Sequence, residues 1–311
     1  PLLTVNIPIG LQFRSNTGTI EVQSTSGLEV APGKTLALLG GDINLDGGKL
    51  NAPGGSIQLG AYEGNLFSAP MAPGMNIRMN NGATIFNNST GAASGGSIKL
   101  HASETVSLAE DSIISAENRG NGDGAVVTVE TDFLTVASHS YISTSTFAGG
   151  SAGDLTVSAQ EININGGQEL SPVLEELFNI QIDNPEQLGT GLFALSFGGG
   201  NAGKLEITTE RLTLQNAGFI SNSPFGGGRG GDLQINAAES VEIIGSQILG
   251  DNYSSGDGGQ VTVKTARFRA AAGGGVFAST FGAGRGGEIN INATDSIELV
   301  GTTPDEKFDT G

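Results

Sequence analysis

In a chain of 311 residues, 51 are glycine, more than twice the roughly 7% of ordinary usage, and they lack the every-third-residue spacing of collagen. Fourteen Lys and Arg stand against 32 Asp and Glu, a formal charge of −18, so the basic footprint needed for nucleic acid or an anionic membrane surface is missing. There is no cysteine for disulfides or thiol chemistry, and two histidines leave little for metal binding or proton relay.

Residues 1–9 are apolar but broken by Asn6 and Pro8 and have no basic flank, so they read neither as a signal peptide nor as a membrane span. Closely spaced apolar pairs follow: Ile20/Val22, Leu28/Val30, Leu36/Leu38, Ile43/Leu45 and Ile57/Leu59. Glycine-rich corners such as Gly40-Gly41-Asp42 and Gly47-Gly48-Lys49 separate them, which predicts a narrow set of coils over residues 1–60. Residues 61–97 read as a transition coil. It carries a loop over 61–75, marked by Pro70 and Pro73.

From residue 98 to 311 one phrase recurs. Its first strand opens at Ile98, Val127, Leu155, Leu205, Leu233, Val261 and Ile289, at intervals of 29, 28, 50, 28, 28 and 28 residues. The interval of 50 is one period of 28 plus a 22-residue insert at 168–189. Within each copy the apolar position repeats two residues later (Leu100, Val129, Val157, Ile207, Ile235, Val263, Ile291), the alternation of a strand with one buried face. A second strand starts at Val106, Leu134, Ile162, Leu212, Val241, Phe268 and Ile297, with one residue of jitter at the corner before it. The third, at Ile114, Ile142, Leu192, Ile220, Ile248 and Val276, holds its register. Short strands at such a period stack along one axis as a solenoid. The prediction is therefore an all-β, parallel, three-faced β-helix of about ten coils. The last strands are apolar and uncapped, so the chain reads as an internal piece of a longer polypeptide.

The insert is the one predicted helix. Ser171 can cap it, Pro172 suits its first position, and Val173, Leu174, Leu177, Phe178 and Ile180 follow at helical spacing. Its apolar side, with Leu174, Leu177 and Phe178, either folds back on the rod or offers a ridge for docking a partner.

Stacking also predicts columns of side chains. Phe147, Phe197, Phe225, Tyr253 and Phe281 fall in one column and read as a structural ladder; exposed rings would instead suit carbohydrate stacking. Asp257 lies between Arg229 and Arg285, and Lys204 between Asp154 and Asp232, which predicts neutralisation between coils. At the corner before the second strand, Glu104, Asp132 and Glu161 lie on consecutive coils with no base between them. Stacked carboxylates repel, and this trio is the candidate calcium site; no other cofactor is expected. Further along, Arg211, Glu239, Arg267 and Asp295 alternate in sign. His101 and His139 have no partners at ligand spacing. Catalysis needs an acid and a base converging on one substrate atom, and no catalytic set is predicted.

The opening Pro1-Leu2-Leu3-Thr4-Val5-Asn6-Ile7-Pro8-Ile9-Gly10-Leu11-Gln12-Phe13 resembles the stretch near the end of the secretion domain in filamentous-haemagglutinin-like exoproteins of two-partner secretion, in particular the large cyanobacterial type. Leu38-Leu39-Gly40-Gly41-Asp42-Ile43-Asn44-Leu45-Asp46-Gly47-Gly48 and Ala52-Pro53-Gly54-Gly55 are similar too, as are repeats such as Gly203-Lys204-Leu205-Glu206-Ile207-Thr208-Thr209-Glu210-Arg211-Leu212. The resemblance spans essentially the whole chain and is most specific over residues 1–60. It implies a right-handed β-helix, export through an outer-membrane secretion partner, and display or release outside a diderm bacterial cell. The expected function is that of a non-enzymatic structural exoprotein, an adhesin or fibre shaft, with copies of itself or extracellular glycans as further partners. A polysaccharide-active β-helix enzyme and a self-associating sheath or matrix protein are the rival readings.

Overall fold

The computed structural model describes residues 18–301 apart from 24, 62–74, 93, 168–187 and 254. Every pairing between its strands is parallel, and among the described residues there are 24 strands and no helix. The strands wind into a parallel β-helix with three strand columns. One column opens with Thr35–Gly40, Ser56–Ala61, Ser97–Ala102, Val126–Glu130 and Leu155–Ser158. The second runs through Ile20–Val22, Ile43–Asp46, Asn76–Asn80, Thr105–Leu108, Phe133–Ala137 and Glu161–Asn165. The third runs from Leu28–Glu29 through Lys49–Asn51, Thr84–Phe86, Ile113–Asn118, Tyr141–Thr146, Gly191–Ser196, Phe219–Ser221 and Gln247–Leu249 to Gly275–Phe277.

The apolar columns read from the sequence are the register of the sheets. Ile98, Val127, Leu155, Leu205, Leu233, Val261 and Ile289 pair in succession. So do Val106, Leu134, Ile162, Leu212, Val241, Phe268 and Ile297. In the third column Ile114, Ile142, Leu192, Ile220 and Ile248 are wholly buried and pair in one stack that ends on the partly buried Val276. Apart from Ile289 and Ile297 of the last coil, which are exposed, these residues line one continuous core from Val22 to Ala270. The first described step of each column is short, Ile20 pairing Ile43, Leu28 pairing Leu50 and Thr35 pairing Ser56 at 23, 22 and 21 residues, and the next is long, with Ile43 pairing Ile77 and Leu50 pairing Ile85 at 34 and 35.

Three local readings change. Lys49, read as part of a corner, opens a strand, and Ala61, read as the start of a loop, ends one. The third is the corner between the first two strands, which disappears from Leu205 onward. There the two strands fuse into Leu205–Gln215, Leu233–Ile244, Gln260–Ala271 and Glu288–Val300, so the three columns form two hydrogen-bonded sheets of 15 and nine strands. No glycine or proline interrupts these stretches, and the jitter survives as register shifts after Thr209, Ala237 and Thr265. In the fused strand Leu205–Gln215 the Thr209 hydroxyl turns back on the backbone, its Oγ1 2.9 and 3.0 Å from the carbonyls of Gln160 and Arg211. The predicted insert helix, with Leu174, Leu177 and Phe178, lies outside the described residues.

The corner from second to third column is made of left-handed residues, including Asn81, Glu110, Asp111, Ser138, His139, Asn216, Ala217 and Ala272, with φ between 52° and 61°. Half of these eight are Asn, Asp or Ser, whose short polar side chains make that region less costly. Glycine is required instead before the first strand, where coils touch backbone to backbone. A Cβ at Gly203, Gly231 or Gly259 would lie 2.0, 1.9 or 1.6 Å from the carbonyl oxygen of the glycine one coil below, closer than any contact atoms tolerate.

Candidate interaction surface

The five predicted ring positions form one stack. Phe147, Phe197, Phe225, Tyr253 and Phe281 follow one another with centroids 4.9, 5.2, 4.7 and 4.9 Å apart and planes within 14° of parallel. At about 0.5–1.5 kcal/mol per pair, the four contacts contribute a few kcal/mol to coil stacking. The ring faces are spent on one another, so only their edges line the surface along most of the ladder. A sugar stacks on a face, and the ring at the far end of the stack, Phe281, is 59% exposed.

The other end is closed by Arg119. Its guanidinium carbon sits 4.6 Å from the centroid of the Phe147 ring, and Glu117, itself buried, holds the group at 2.9 Å. One residue before each ladder position lies a second row. Thr146 Oγ1 donates to the Gly150 carbonyl at 2.7 Å and Thr280 Oγ1 to Gly284 at 3.2 Å, while Asn118, Ser196 and Asn252 donate likewise to Gly122, Gly200 and Gly256. Each bond closes a glycine-rich loop over four residues. Pro224 takes this place in the remaining coil, with no side-chain donor, and is joined to Ser196 by a backbone bridge.

The charged columns neutralise one another less through side-chain pairs than through the backbone. Asp154 accepts the Lys204 N–H at 2.9 Å, Asn201 that of Arg229 at 3.0 Å, Asp257 that of Arg285 at 3.1 Å and Asp232 that of Gln260 at 3.3 Å. Each carboxylate or amide thus caps a donor in the next coil, where the sheet is interrupted and the N–H would otherwise face solvent. Lys204 pairs at 2.8 Å with Glu206 of its own strand. That hydrogen bond above all holds its ammonium above the ordinary range, with the charges of Glu206, Asp154 and Asp232 adding to it. Arg229 reaches Asp257 at 3.9 Å.

Glu104, Asp132 and Glu161 do not assemble as a stacked trio. The amides of Gln160 and Glu161 both donate to the Asp132 carbonyl, at 2.9 and 3.0 Å. Glu130 pairs Ser158 before this corner and Phe133 pairs Glu161 after it, both at an offset of 28 residues. The counterpart of Asp132 is therefore Gln160, which donates to its carboxylate at 2.8 Å, and Glu161 falls opposite Phe133. Glu161 is taken by Arg211, which also holds Glu239 at 2.9 Å. Hydrogen bonds to Glu161 and then Glu239 push the Arg211 pKa further above its already high ordinary value. Among the described residues no group of three His, Asp or Glu side chains is placed to hold a metal ion.

Both histidines face a carboxylate one coil away, His101 with Glu130 at 3.0 Å and His139 with Asp111 at 3.8 Å. A further acid was not singled out in the sequence. Asp251 is 5% exposed and accepts the Ser279 N–H at 2.6 Å and a hydrogen bond from the Tyr253 hydroxyl. Burial raises the Asp251 pKa, and burial together with Asp251 raises that of Tyr253, so the phenol stays a donor. The signal for this pair was present: Asp251 stands two residues before a ladder ring, as Glu117 stands two before Arg119.

Residues 1–128 match the family model of the TPS secretion domain. The match runs through the narrow coils and the junction and ends within the strand Val126–Glu130. No curated protein and no solved structure matches the chain.

Proposed function

From a chain whose residues 1–128 belong to the TPS secretion domain family, and which is thereby a two-partner secretion exoprotein passed across an outer membrane with an outer-membrane partner, we propose an adhesin or fibre shaft. The rod carries no chemistry of its own in this reading. It holds an interaction surface away from the cell and meets cell surfaces or matrix.

The observation that supports it most is continuity. The second column stacks ten strands in parallel, nine steps of about 4.8 Å, giving a rod of about 43 Å over the described residues. Along it several charged side chains cap the next coil or pair with a neighbour: Asp132 with Gln160, Glu161 and Glu239 with Arg211, Lys204 with Glu206. An acid and a base sharing one substrate atom is a different arrangement.

The test uses cells that export the chain and the purified protein. Cells bearing it are expected to attach to surfaces or matrix better than cells lacking it, and the protein to leave acidic and neutral polysaccharides uncut. Equal attachment would remove the adhesin reading. Release of reducing or unsaturated sugar ends would establish the enzyme instead.

A further inference from the structure

Among the described residues six buried side-chain atoms have no hydrogen-bond partner, and three of them fall in one row inside the rod. Strand alternation points Ile85, Ile114, Ile142, Leu192 and Ile220 inward, and with them the residues two positions further on. Those are Asn87, Ala116, Thr144, Ala194 and Asn222, in successive coils. All five are at most 1% exposed. The orphaned atoms are Asn87 Oδ1, Thr144 Oγ1 and Asn222 Oδ1, so every second coil carries one and an alanine stands between.

The two asparagines are oriented by their amide nitrogens. Asn87 Nδ2 donates to the Gly55 carbonyl at 2.8 Å and Asn222 Nδ2 to that of Gly231, which leaves each Oδ1 as the open acceptor. Thr144 makes none of the bonds that its hydroxyl could give or take. The rows on either side do not supply them. One is the apolar stack of Ile114, Ile142 and Leu192, and in the other Asn118, Thr146 and Ser196 are engaged with the carbonyls of Gly122, Gly150 and Gly200.

Protein interiors pair nearly all their buried polar groups, and use ordered water where no protein group reaches. Alanine is shorter than asparagine by its whole amide, so the row is least filled at Ala116 and Ala194, beside the orphaned atoms. Beyond Asn222 it closes: a Cβ on Gly250 would lie 2.5 Å from Val261 Cγ2, so the valine takes that place. We infer that this row binds a line of internal waters, seated beside Ala116 and Ala194. They donate to Asn87 Oδ1 and Asn222 Oδ1, and the Thr144 hydroxyl between them bonds to water on both sides. Carbonyls of the bordering glycine-rich loops, which each accept two bonds, supply the further partners that a buried water needs. Shut off from solvent, these waters exchange only when a coil opens.

A crystal structure of the full chain at a resolution that shows ordered water tests this directly. Density peaks are expected within about 2.7–3.2 Å of at least two of the three orphaned atoms. Peaks at one or none, or protein groups bonded to these atoms instead, would overturn the inference. In solution, water relaxation dispersion counts the long-lived internal waters. Thr144→Val keeps the side chain's shape without the hydroxyl and should lose at least one such water against the parent. Thr128→Val, between the buried Val127 and Val129 and so facing outward, should lose none. An unchanged count in Thr144→Val would overturn the inference, whatever its stability. Should that variant not fold, the density decides.

Discussion

Arg119 lies over the ring of Phe147, its guanidinium carbon 4.6 Å from the centroid, and so closes the aromatic ladder on the side where no further ring follows. The two residues are one period of 28 apart, which makes Arg119 the ladder's own preceding position, filled by a cation. An end position and an internal one should differ in what they contribute. Arg119→Ala is expected to lower stability by about 0.5–1 kcal/mol, the size of an exposed cation–π contact. Phe197→Ala removes two ring contacts and a half-buried side chain, and should cost about 2–3 kcal/mol. Urea unfolding of both variants measures the difference, and equal effects would deny the stack its energetic role.

The glycines before the first strand offer a sharper contrast. Gly231→Ala places a methyl 1.9 Å from the Gly203 carbonyl oxygen, and the coils must part locally. Overpacking of this kind costs about 1–3 kcal/mol. Gly227, four residues away in the same loop, has nothing within 4 Å of its would-be Cβ. Gly227→Ala should leave the thermal midpoint nearly unchanged.

At the left-handed corners the expected sign is reversed. Ala272 holds φ 52° and is exposed, so its methyl adds strain and little burial. Ala272→Gly should therefore stabilise, by about 0.5–1 kcal/mol. A lower denaturation midpoint for this variant would show that the corner is not strained.

Asp251 makes stability depend on pH. Its folded pKa is raised above the ordinary 3.8 by burial, so the contribution of its protonated form is fully present below 3.8 and is lost as pH rises through the folded value. Asp251→Asn keeps an acceptor for the Ser279 N–H and cannot ionise. Denaturant midpoints measured from below pH 3.8 to neutrality should fall less with rising pH in this variant than in the parent, and parallel profiles would deny Asp251 its part.

Calcium provides a further check on the splayed carboxylates. With Asp132 engaged by Gln160 and Glu161 by Arg211, added calcium should not raise the unfolding temperature by way of these residues. A rise abolished by Asp132→Asn would restore the site.

The fold was legible because parallel stacking repeats each coil's inward pairs at the coil length. Ile114, Ile142 and Leu192 declare one column once the insert is set aside, and the ring ladder follows by the same arithmetic. What escaped notice lacks that signature. The fusion of strands after Leu205 depends on whether a corner breaks backbone pairing, which apolar spacing does not report. Asn118, Thr146, Ser196, Asn252 and Thr280 differ in type and share only a hydroxyl or amide donor, so they look unrelated until their common carbonyl acceptors are seen. The carboxylate trio failed for the opposite reason. The three were read as neighbours although Glu161 lies one residue past the 28-residue counterpart of Asp132, which is Gln160.

The parallel register also fixes how the rod answers a pull. Hydrogen bonds between coils run along its axis, so tension applied at the chain ends loads them a few at a time and peels the terminal coil, whereas bonds in shear would share the load. Each peeled coil of the regular array frees 28 residues, about 95 Å of extended chain for about 5 Å of rod lost. Stretched between two anchorages, such a shaft lengthens by repeated yielding of its outermost coil while the coils behind it keep their shape.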